Sequence, residues 1–548
     1  MARKSGKTPK PAPTRRSRSR GTPPPTAAAS DDGAPPPPPT QRFVVSNLMS
    51  LQPPGLARNE ATERFTLRLN KVLLDSVDVL SSGVRHARGD VDGDGARHVV
   101  VIEGNPDEIA EKAKELTADT VIEPLLPRVP AVAFPSYMLT NAPNATQGPG
   151  TGATLNLRIA GPDDAAVAGA TVIVRFNGIA NPSLSISAGG ISKANGTVAI
   201  TFDAMQWRPA MAVVEPHGRY WTSVHTNPQS GQTLVLRALP TGNALGWWHL
   251  VSGLSTNDPD AGRGIKVGVI DTGVGPHPAL AHAVPIGAFS DGSFLPGAAQ
   301  GRDVQTHGTH VSGIVGARPV NEGDFGGIAQ GSDLFVARVF SAAGGGNQGD
   351  VANAIDMLSR DYGADVINLS LIGAASAIEH DAVIVAWQRG TVCVCASGNQ
   401  SGSPVGFPAA YPECVAVSAL GLINTAPPDT MPAYNLPNQA DRYGLGGLFL
   451  ASFSNIGPQL LCASPGNGII STIPATNAEP APYADMSGTS MSSPTTAAVL
   501  ARLLAADKTY GGLARTAARA AYAKQLLALR ALSVGLNSLY QGRGLART

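Results

Sequence analysis

Four polar side chains in the C-terminal half of this 548-residue chain could together transfer an acyl group. Asp271 ends the apolar run IKVGVID, and Asn399 follows the run TVCVCAS. His307 and Ser490 each stand at the start of a stretch of small and apolar residues with helical spacing. A serine hydroxyl is a weak nucleophile until an imidazole accepts its proton, and a buried carboxylate holds that imidazole in the required tautomer. An amide donor such as Asn399 can then stabilise the oxyanion.

Ser490 has two interpretations when its own segment, DMSGTSMSSPTTAAV (485–499), is considered alone. Serine and threonine are common in loops that cap helices. Pro494 fits a first helical turn, where a backbone N–H is not needed. The same helix N-terminus carries free N–H groups and partial positive charge, which suit a developing oxyanion. A base, an acid and an amide donor elsewhere in the chain favour the nucleophile over the capping loop.

The elements that must position these residues have the pattern of a parallel sheet. Helical stretches such as DVANAIDMLSRDYG separate several near-continuous apolar runs, which span 265–271, 333–340, 365–371, 391–397 and 414–420. Strands that are buried on both faces and alternate with helices predict an α/β fold, with helices covering both faces of a parallel sheet. Ligands bind at the carboxyl ends of such strands, where Asp271 and Asn399 are expected.

Three motifs, VIDTGV, HGTHVSG and GTSMSSP, contain the candidate acid, base and nucleophile in that order. Together they closely resemble the signatures of the subtilisin-like serine proteases, or subtilases. The segments ASGN, NLSLIG, GFPAAYPECVAVSA and FSNIGPQLLCASPG resemble further parts of that family. The resemblance covers about residues 245–505 and implies a serine endopeptidase with a subtilisin-like catalytic domain.

The resemblance implies a role for each matched residue. Asp271 would orient the imidazole, His307 would act as base and then as acid, and Ser490 would attack the carbonyl carbon. Asn399 and the Ser490 backbone N–H would form the oxyanion hole. Ser370 and Leu371 would pair with the substrate backbone as an added strand. The implied substrate-binding set comprises Ser370, Leu371, Ile372, Gly373, Ser397 and Gly398.

Two residues depart from the family pattern. Ile372 stands where glycine is usual, so its branched side chain should narrow the substrate cleft or shift the peptide preference. Thr306 precedes His307 where glycine or serine is more usual, and we expect a mild effect. Asp303 matches an acidic position that is common just before the catalytic histidine.

Composition and periodicity divide the rest of the chain. A basic and then proline-rich tail is expected to be disordered. A strand–helix–strand unit follows, which resembles the family's inhibitory prodomain; an unrelated α+β module is the alternative. A linker leads to a module with period-2 alternation, typical of a β-sandwich. The predicted boundaries are 1–40 for the tail, 41–128 for the prodomain-like unit, 129–150 for the linker, 151–240 for the β module, 241–508 for the catalytic domain and 509–548 for a helical extension that docks on it.

The β module raises the question of where the chain would be processed. Self-cleavage could fall after the prodomain-like unit or just before NALGWWHLVSG (243–253), or the inhibitor could stay attached. Within the prodomain-like unit, DVDGDG (90–95) mimics the start of an EF-hand loop. A strand rather than a helix follows it, so we interpret this motif as a turn.

Charge and cysteine content limit the partners and the compartment. The net charge of +1 excludes a general polyanion binder, and nucleic-acid contact is considered only for the first 20 residues, which hold eight Lys or Arg and no acid. No apolar segment typical of a signal peptide or a membrane span is found, so we predict a cytoplasmic protein, with unconventional secretion left open. The four cysteines, Cys393, Cys395, Cys414 and Cys462, form neither a metal motif nor a disulfide framework.

The predicted chemistry requires no cofactor, and the expected partner is a peptide or protein substrate. The family often binds calcium as a structural ion; no complete site can be mapped, although carbonyls at 409–414 are candidate ligands. The sequence does not indicate an oligomeric state. Two alternatives remain: a catalytically silent scaffold that binds through the β module and basic tail, and a peptide ligase or transferase that uses the same catalytic residues.

Overall fold

A computed structural model describes residues 40–51, 78–84, 97–132, 152–242 and 244–548. These described residues belong to one compact unit, residues 40–548. The predicted tail, the DVDGDG motif and most of the predicted linker lie outside the described residues.

The N-terminal unit, as we call the described residues between 40 and 131, is built on a four-stranded antiparallel sheet. Its strands are β1 (Gln41–Asn47), β2 (Asp78–Val84), β3 (His98–Gly104) and β4 (Thr120–Pro124), in the spatial order β2-β3-β1-β4. Helix α1 (Pro106–Ala113) begins at the cap Asn105, whose side chain accepts the Asp107 N–H. Ile109 of this helix packs on Phe43 and Ile102, while Val44 and Val99 on the opposite face join the core of the C-terminal half.

Strand β5 (Pro127–Pro130) leaves this sheet and pairs elsewhere. It lies between β17 (Gly346–Asn347) and β19 (Leu371–Gly373) in a three-stranded antiparallel sheet. The domain boundary predicted at residue 128 therefore falls inside a strand, and residues 129–131 are not part of a linker.

The β module, residues 152–240, contains two sheets around a shared apolar core. One sheet has the order β11-β10-β7-β8 and the other β12-β6-β9. The strands are β6 (Gly152–Ala160), β7 (Thr171–Gly178), β8 (Ser185–Ile191), β9 (Thr197–Asp203), β10 (Trp207–Glu215), β11 (Ser223–Thr226) and β12 (Gln232–Val235). Alternate residues such as Leu155, Leu157 and Ile159 of β6 enter the core, as the period-2 pattern requires.

The C-terminal half is built on a nine-stranded sheet with the order β15-β14-β16-β13-β18-β20-β21-β22, in which β23 also pairs with β21. All pairs are parallel except those of the edge strands β15 and β22. The strands are β13 (Lys266–Asp271), β14 (Val284–Ser290), β15 (Ser293–Pro296), β16 (Asp333–Arg338), β18 (Val366–Leu369), β20 (Val392–Ala396), β21 (Val415–Leu422), β22 (Leu448–Leu450) and β23 (Leu460–Pro465). A separate hairpin pairs β24 (Ile469–Thr472) with β25 (Tyr483–Met486). The α/β architecture with a central parallel sheet is as predicted.

Helices cover both faces of this sheet. They are α2 (Trp247–Val251), α3 (His307–Gly316), α4 (Gln348–Arg360), α5 (Ala377–Gln388), α6 (Met431–Tyr434), α7 (Thr489–Ala506), α8 (Lys508–Gly512), α9 (Ala517–Arg530) and α10 (Ser538–Gln541). Strand β20 shows the two-sided burial, because Val392 and Val394 pack with α3 and α7, whereas Cys393 and Cys395 pack with α4 and α5.

The C-terminal residues continue the same core. Ala520, Ala523 and Leu527 of α9 are fully buried in the cluster that contains α7. The C-terminal extension therefore packs on the same core as α7, and the boundary predicted at residue 508 does not separate two cores. All four cysteines are buried free thiols. Within the described part of the chain, every helix is too short or too polar to cross a membrane.

Candidate active site

Asp271 and His307 come together at the carboxyl edge of the parallel sheet. Asp271 is the last residue of β13, and His307 is the first residue of α3. His307 Nδ1 lies 2.6 Å from Asp271 Oδ1, and both side chains are almost fully buried. A carboxylate only accepts, so Nδ1 carries the proton and Nε2 is left with a lone pair. This is the tautomer that a general base requires.

Asp303 fixes the two elements that carry this pair. Its Oδ1 accepts the Thr272 hydroxyl at 2.8 Å and the Thr306 N–H at 3.0 Å, and its Oδ2 accepts the Thr309 N–H at 2.8 Å. One carboxylate thus joins the end of β13 to the start of α3. Thr306 has φ 136°, a conformation that glycine adopts more easily, so the backbone is strained at this residue.

Ser490 is the second residue of α7 and is fully buried. Its Oγ donates to the Ser370 carbonyl oxygen at 3.0 Å, and the Ser370 hydroxyl donates in return to the Ser490 carbonyl at 2.8 Å. His307 Nε2 is buried and has no hydrogen-bond partner. The nucleophile and the base are therefore not hydrogen-bonded to each other in this arrangement, and the serine side chain must turn before it can donate to the imidazole.

Asn399 and the Ser490 backbone are the two candidate oxyanion donors. Asn399 Oδ1 accepts both the N–H and the hydroxyl of Thr489, at 3.0 and 2.9 Å. These contacts fix the orientation of the amide, and its buried Nδ2 has no hydrogen-bond partner. The Ser490 backbone N–H donates to the Ala131 carbonyl oxygen at 3.0 Å. A peptide carbonyl of the chain itself thus occupies the place where an acyl oxygen would develop charge.

The segment that presents this carbonyl lies in a groove between β17 and β19, which we call the cleft. Pro130 and Val129 stand opposite Leu371 and Ile372, and the Ala131 N–H donates to the Ser370 carbonyl at 3.1 Å. The added strand that the sequence predicts for a substrate is therefore formed here by β5. Its backbone hydrogen bonds place Ala131 beside Ser490.

Ile372 shortens the pocket beneath Ala131. A Cβ atom built on Gly398 or on Gly406 would lie within 2.3 or 2.4 Å of Ile372 Cδ1, so this side chain fills the space above both glycines. Ala131 packs against Ile372 and Ala396. Ser397, which precedes Gly398, is fully buried. The narrowing expected from an isoleucine in the cleft wall is thus found at the side chain before residue 132.

Beyond Ser490 the chain enters a cavity of about 350 Å³, which Val132 and His307 line together with residues of the β module. Glu215 of the β module and Asp485 of β25 both face this cavity. Burial raises the pKa of Glu215 to about 7, and the negative charge of Asp485 adds to that rise. Burial likewise raises the pKa of Asp485 to about 6. The β module therefore forms part of the wall on this side of the active site.

Two of the candidate calcium ligands at 409–414 already accept hydrogen bonds from a cationic side chain. Lys524 Nζ donates to the carbonyl oxygens of Pro412 and Cys414, at 2.6 and 2.8 Å. An ammonium group already satisfies these oxygens, and it would repel a divalent cation beside it. Across the described ranges, His, Cys, Asp and Glu form no group of three or more that could hold a metal ion.

Sequence reasoning missed the residues that occupy the cleft. Arg128 of β5 is fully buried and pairs with the equally buried Glu379 of α5. These residues are 251 positions apart, and neither belongs to a motif. The short run PRVPA between two apolar strands was the only local signal, since proline often marks an edge strand or an extended segment.

Comparison with known proteins confirms the resemblance. A thermophilic serine proteinase of Bacillus sp. (strain AK1) is 37% identical over 247 residues, which are 44% of this chain and 53% of that protein. The minor extracellular protease Epr of Bacillus subtilis (strain 168) is 36% identical over 248 residues, 45% of this chain and 33% of that protein. Subtilisin Savinase of Lederbergia lenta is 32% identical over 234 residues, 42% of this chain and 73% of that protein.

The chain therefore spans about half of the first of these relatives and a third of the second. The model of the subtilase family matches residues 262–544, which include the sheet and all the candidate catalytic residues. Because this match covers slightly more than half of the chain, and the buried Asp271–His307 pair and Ser490 lie within it, the chain belongs to the subtilase family.

Proposed function

We propose that this protein is a serine endopeptidase made as a self-inhibited precursor, which cleaves its own chain between Ala131 and Val132. The observation that carries the proposal is the 3.0 Å hydrogen bond from the Ser490 backbone N–H to the Ala131 carbonyl. It is supported by the unpartnered Asn399 Nδ2 and by the oriented Asp271–His307 pair. A carbonyl that accepts the backbone N–H of the candidate nucleophile, near an oriented base and a second, unpartnered amide donor, is arranged for acyl transfer.

The reaction begins when the Ser490 hydroxyl leaves the Ser370 carbonyl and donates to His307 Nε2. The imidazole takes the proton while Oγ attacks the Ala131 carbonyl carbon. The Ser490 N–H and Asn399 Nδ2 then bear the negative charge on the carbonyl oxygen. His307 returns the proton to the Val132 nitrogen as the peptide bond breaks, and Asp271 stabilises the charged imidazole throughout. A water molecule hydrolyses the acyl-enzyme in the second half of the reaction.

The same contacts explain inhibition before and after the cut. Strand β5 pairs with both walls of the cleft through residues 127–130. Cleavage of the bond after Ala131 leaves these pairs intact. Residues up to Ala131 therefore continue to block the cleft until the N-terminal unit dissociates. The β module remains attached to the C-terminal half, residues 244–548, which we call the catalytic half. This follows because the cut precedes the β module.

Ile372 sets the preference at the residue before the cut. The Ala131 methyl group packs on an isoleucine that fills the pocket above two glycines. A larger side chain at this position would collide with it. We therefore propose that the enzyme cleaves after alanine or another small residue.

The test compares the full-length chain with Ser490→Ala, each with and without a fluorophosphonate probe. We expect probe mass and self-cleavage only in the chain that retains Ser490, since loss of the nucleophile removes about 10⁶-fold of turnover in a subtilisin. A full-length chain that is neither labelled nor cut would contradict the proposal and favour the scaffold alternative. Product mass with an added amine separates hydrolysis from the ligase alternative, which would transfer the acyl group to the amine.

A further inference from the structure

Resting on this proposed function, we infer that Glu379 selects an arginine four residues before the cleaved bond. In the precursor this place is held by Arg128, with Val129, Pro130 and Ala131 between it and the bond. Arg128 stands opposite Gly346 on one wall of the cleft and Gly373 on the other, so its backbone is bound as a substrate backbone would be.

The ion pair has the geometry of specific recognition. Arg128 Nε and Nη2 donate to Glu379 Oε1 and Oε2, at 2.8 and 2.9 Å. Two parallel bonds between a planar guanidinium and a carboxylate fix both direction and distance, and a lysine cannot reproduce them. Both side chains are fully buried, so water does not screen the pair.

The surroundings free Glu379 for this contact. Glu379 is the third residue of α5, and its N–H donates to the hydroxyl of the cap Ser376. A glutamate at this position commonly turns back to the N–H of the cap residue. Here the Tyr411 hydroxyl accepts the Ser376 N–H at 2.9 Å and donates to the Ser376 carbonyl at 2.8 Å. The carboxylate of Glu379 is therefore available to the cleft.

The cleft also provides the space that an arginine needs. A Cβ atom at Gly373 would lie 2.4 Å from Arg128 Nη1, so a residue with a side chain there would obstruct the guanidinium. Glu379 belongs to the catalytic half and stays when the N-terminal unit leaves. Burial raises its pKa, and the Arg128 guanidinium opposes that rise. A substrate arginine is the group that restores this compensation.

The test uses the full-length enzyme after self-cleavage, diluted until fragment 1–131 has dissociated, and three peptides that copy residues 128–131. They are acetyl-Arg-Val-Pro-Ala-p-nitroanilide and its analogues with lysine or citrulline in place of arginine. Citrulline has the shape of arginine without its charge. We expect kcat/KM for the arginine peptide to exceed that for the citrulline peptide at least about 30-fold, with lysine between them.

Glu379→Gln should bring this ratio close to unity, whereas Glu413→Gln should keep it. Glu413 is a suitable control because its carboxylate pairs at 2.9 Å with His380, which lies on the same helix as Glu379. Comparing peptides within one variant removes differences in the amount of active enzyme. As a readout without added substrate, Arg128→Gln should slow self-cleavage of the full chain by a similar factor.

Each outcome distinguishes the two proposals. Equal kcat/KM for arginine and citrulline in the unmodified enzyme, with self-cleavage intact, would overturn the inference and leave the pair as a structural tie of the precursor. An enzyme that neither cleaves itself nor hydrolyses any of the peptides would instead contradict the proposed function.

Discussion

The N-terminal unit and the β module both contact the catalytic half beside Ser490, but the first is joined to it by fully buried ion pairs. The N-terminal unit places Val44 and Val99 in the core of that half and also buries charges against helix α5. Arg97 pairs with Asp381 at 2.5 Å, and the carboxylate of Glu123 accepts the Ser376 hydroxyl at 2.7 Å and the Ile378 N–H at the start of the helix. These carboxylates are favoured by the positive end of the helix dipole or by a buried guanidinium.

The β module is instead joined through apolar packing and backbone bonds. Trp221 is part of the main core of the catalytic half, and Met211 and Val213 pack with Met431 of α6. The Met431 N–H also donates to the Thr222 carbonyl at 2.8 Å. Removing the β module would expose Trp221 and the main core, whereas removing the N-terminal unit would expose the buried charges of α5 together with the apolar side chains that Val44 and Val99 cover.

The two contacts differ in what their loss would cost. Buried charges lose little when water replaces their partner, because solvation compensates them. Apolar surface has no such compensation. We therefore expect the N-terminal unit to leave after the cut and the β module to remain.

The largest effect is expected from a substitution where the β module packs on the catalytic half. Trp221→Ala, made in the Ser490→Ala chain to prevent cleavage, should lower the free energy of unfolding by about 3–5 kcal/mol, because it leaves a large core cavity. Denaturant unfolding measures this change. Arg237→Ala is the control, since its ion pair with Asp429 is largely exposed and should contribute less than about 1 kcal/mol. A similarly small decrease in unfolding free energy for both variants would contradict the apolar attachment of the β module.

Asp381→Ala should weaken the binding of the N-terminal unit to the catalytic half. This change leaves Arg97 buried without its carboxylate and removes the acceptor of the Met49 and Ser50 N–H groups. After self-cleavage, the dissociation constant between fragments 1–131 and 132–548 should be roughly 100-fold higher in this variant than in the unmodified protein. Size-exclusion chromatography over a dilution series measures it. The unfolding free energy of fragment 132–548 should not change, and a large decrease there would show that Asp381 supports the catalytic half instead.

The smallest effect concerns pH at the wall of the β module. The pKa of Glu215 is raised from its ordinary value of 4.5 to about 7, chiefly by burial, so the folded state holds this proton more tightly than the unfolded state. Unfolding free energy therefore falls as pH rises from about 4.5 to about 7. In the Ser490→Ala chain, Glu215→Gln should be more stable by about 1 kcal/mol at pH 8, a value reduced because the cavity is open to solvent.

At pH 4.5 the glutamate is protonated in the folded state and about half protonated in the unfolded state, so the two chains should differ in stability much less than at pH 8. Denaturant unfolding at both pH values provides the measurement. An equal difference at pH 4.5 and pH 8 would mean that the amide changes packing and that titration of Glu215 is not the cause.

The sequence predicts the catalytic half well because its signals are local. Asp271 ends β13, and His307 begins α3, as the apolar runs and the small-residue stretch indicate. Strand and helix periodicity determine these ends, and parallel topology brings them to one edge. The conformation of Thr306 was not predictable, because the residue type argues against a positive φ.

The occupant of the cleft could not be predicted, because it depends on contacts between distant parts of the chain. Nothing near Arg128 indicates Glu379, and nothing near Glu379 indicates that Tyr411 takes over the capping contact. Only the tertiary structure brings these residues together. The proposed site of processing rests on the same contacts, and for this reason three schemes were open from sequence alone.

The most direct test of the account is the intact mass of the freshly purified full-length protein after incubation. If the chain cleaves itself as proposed, one fragment begins at Val132 and a second ends at Ala131. Both should be absent when Ser490 is replaced by alanine. A mature chain that begins near residue 243 would contradict it, because the β module would then be removed and the carbonyl bound by the Ser490 N–H would not be the one cleaved.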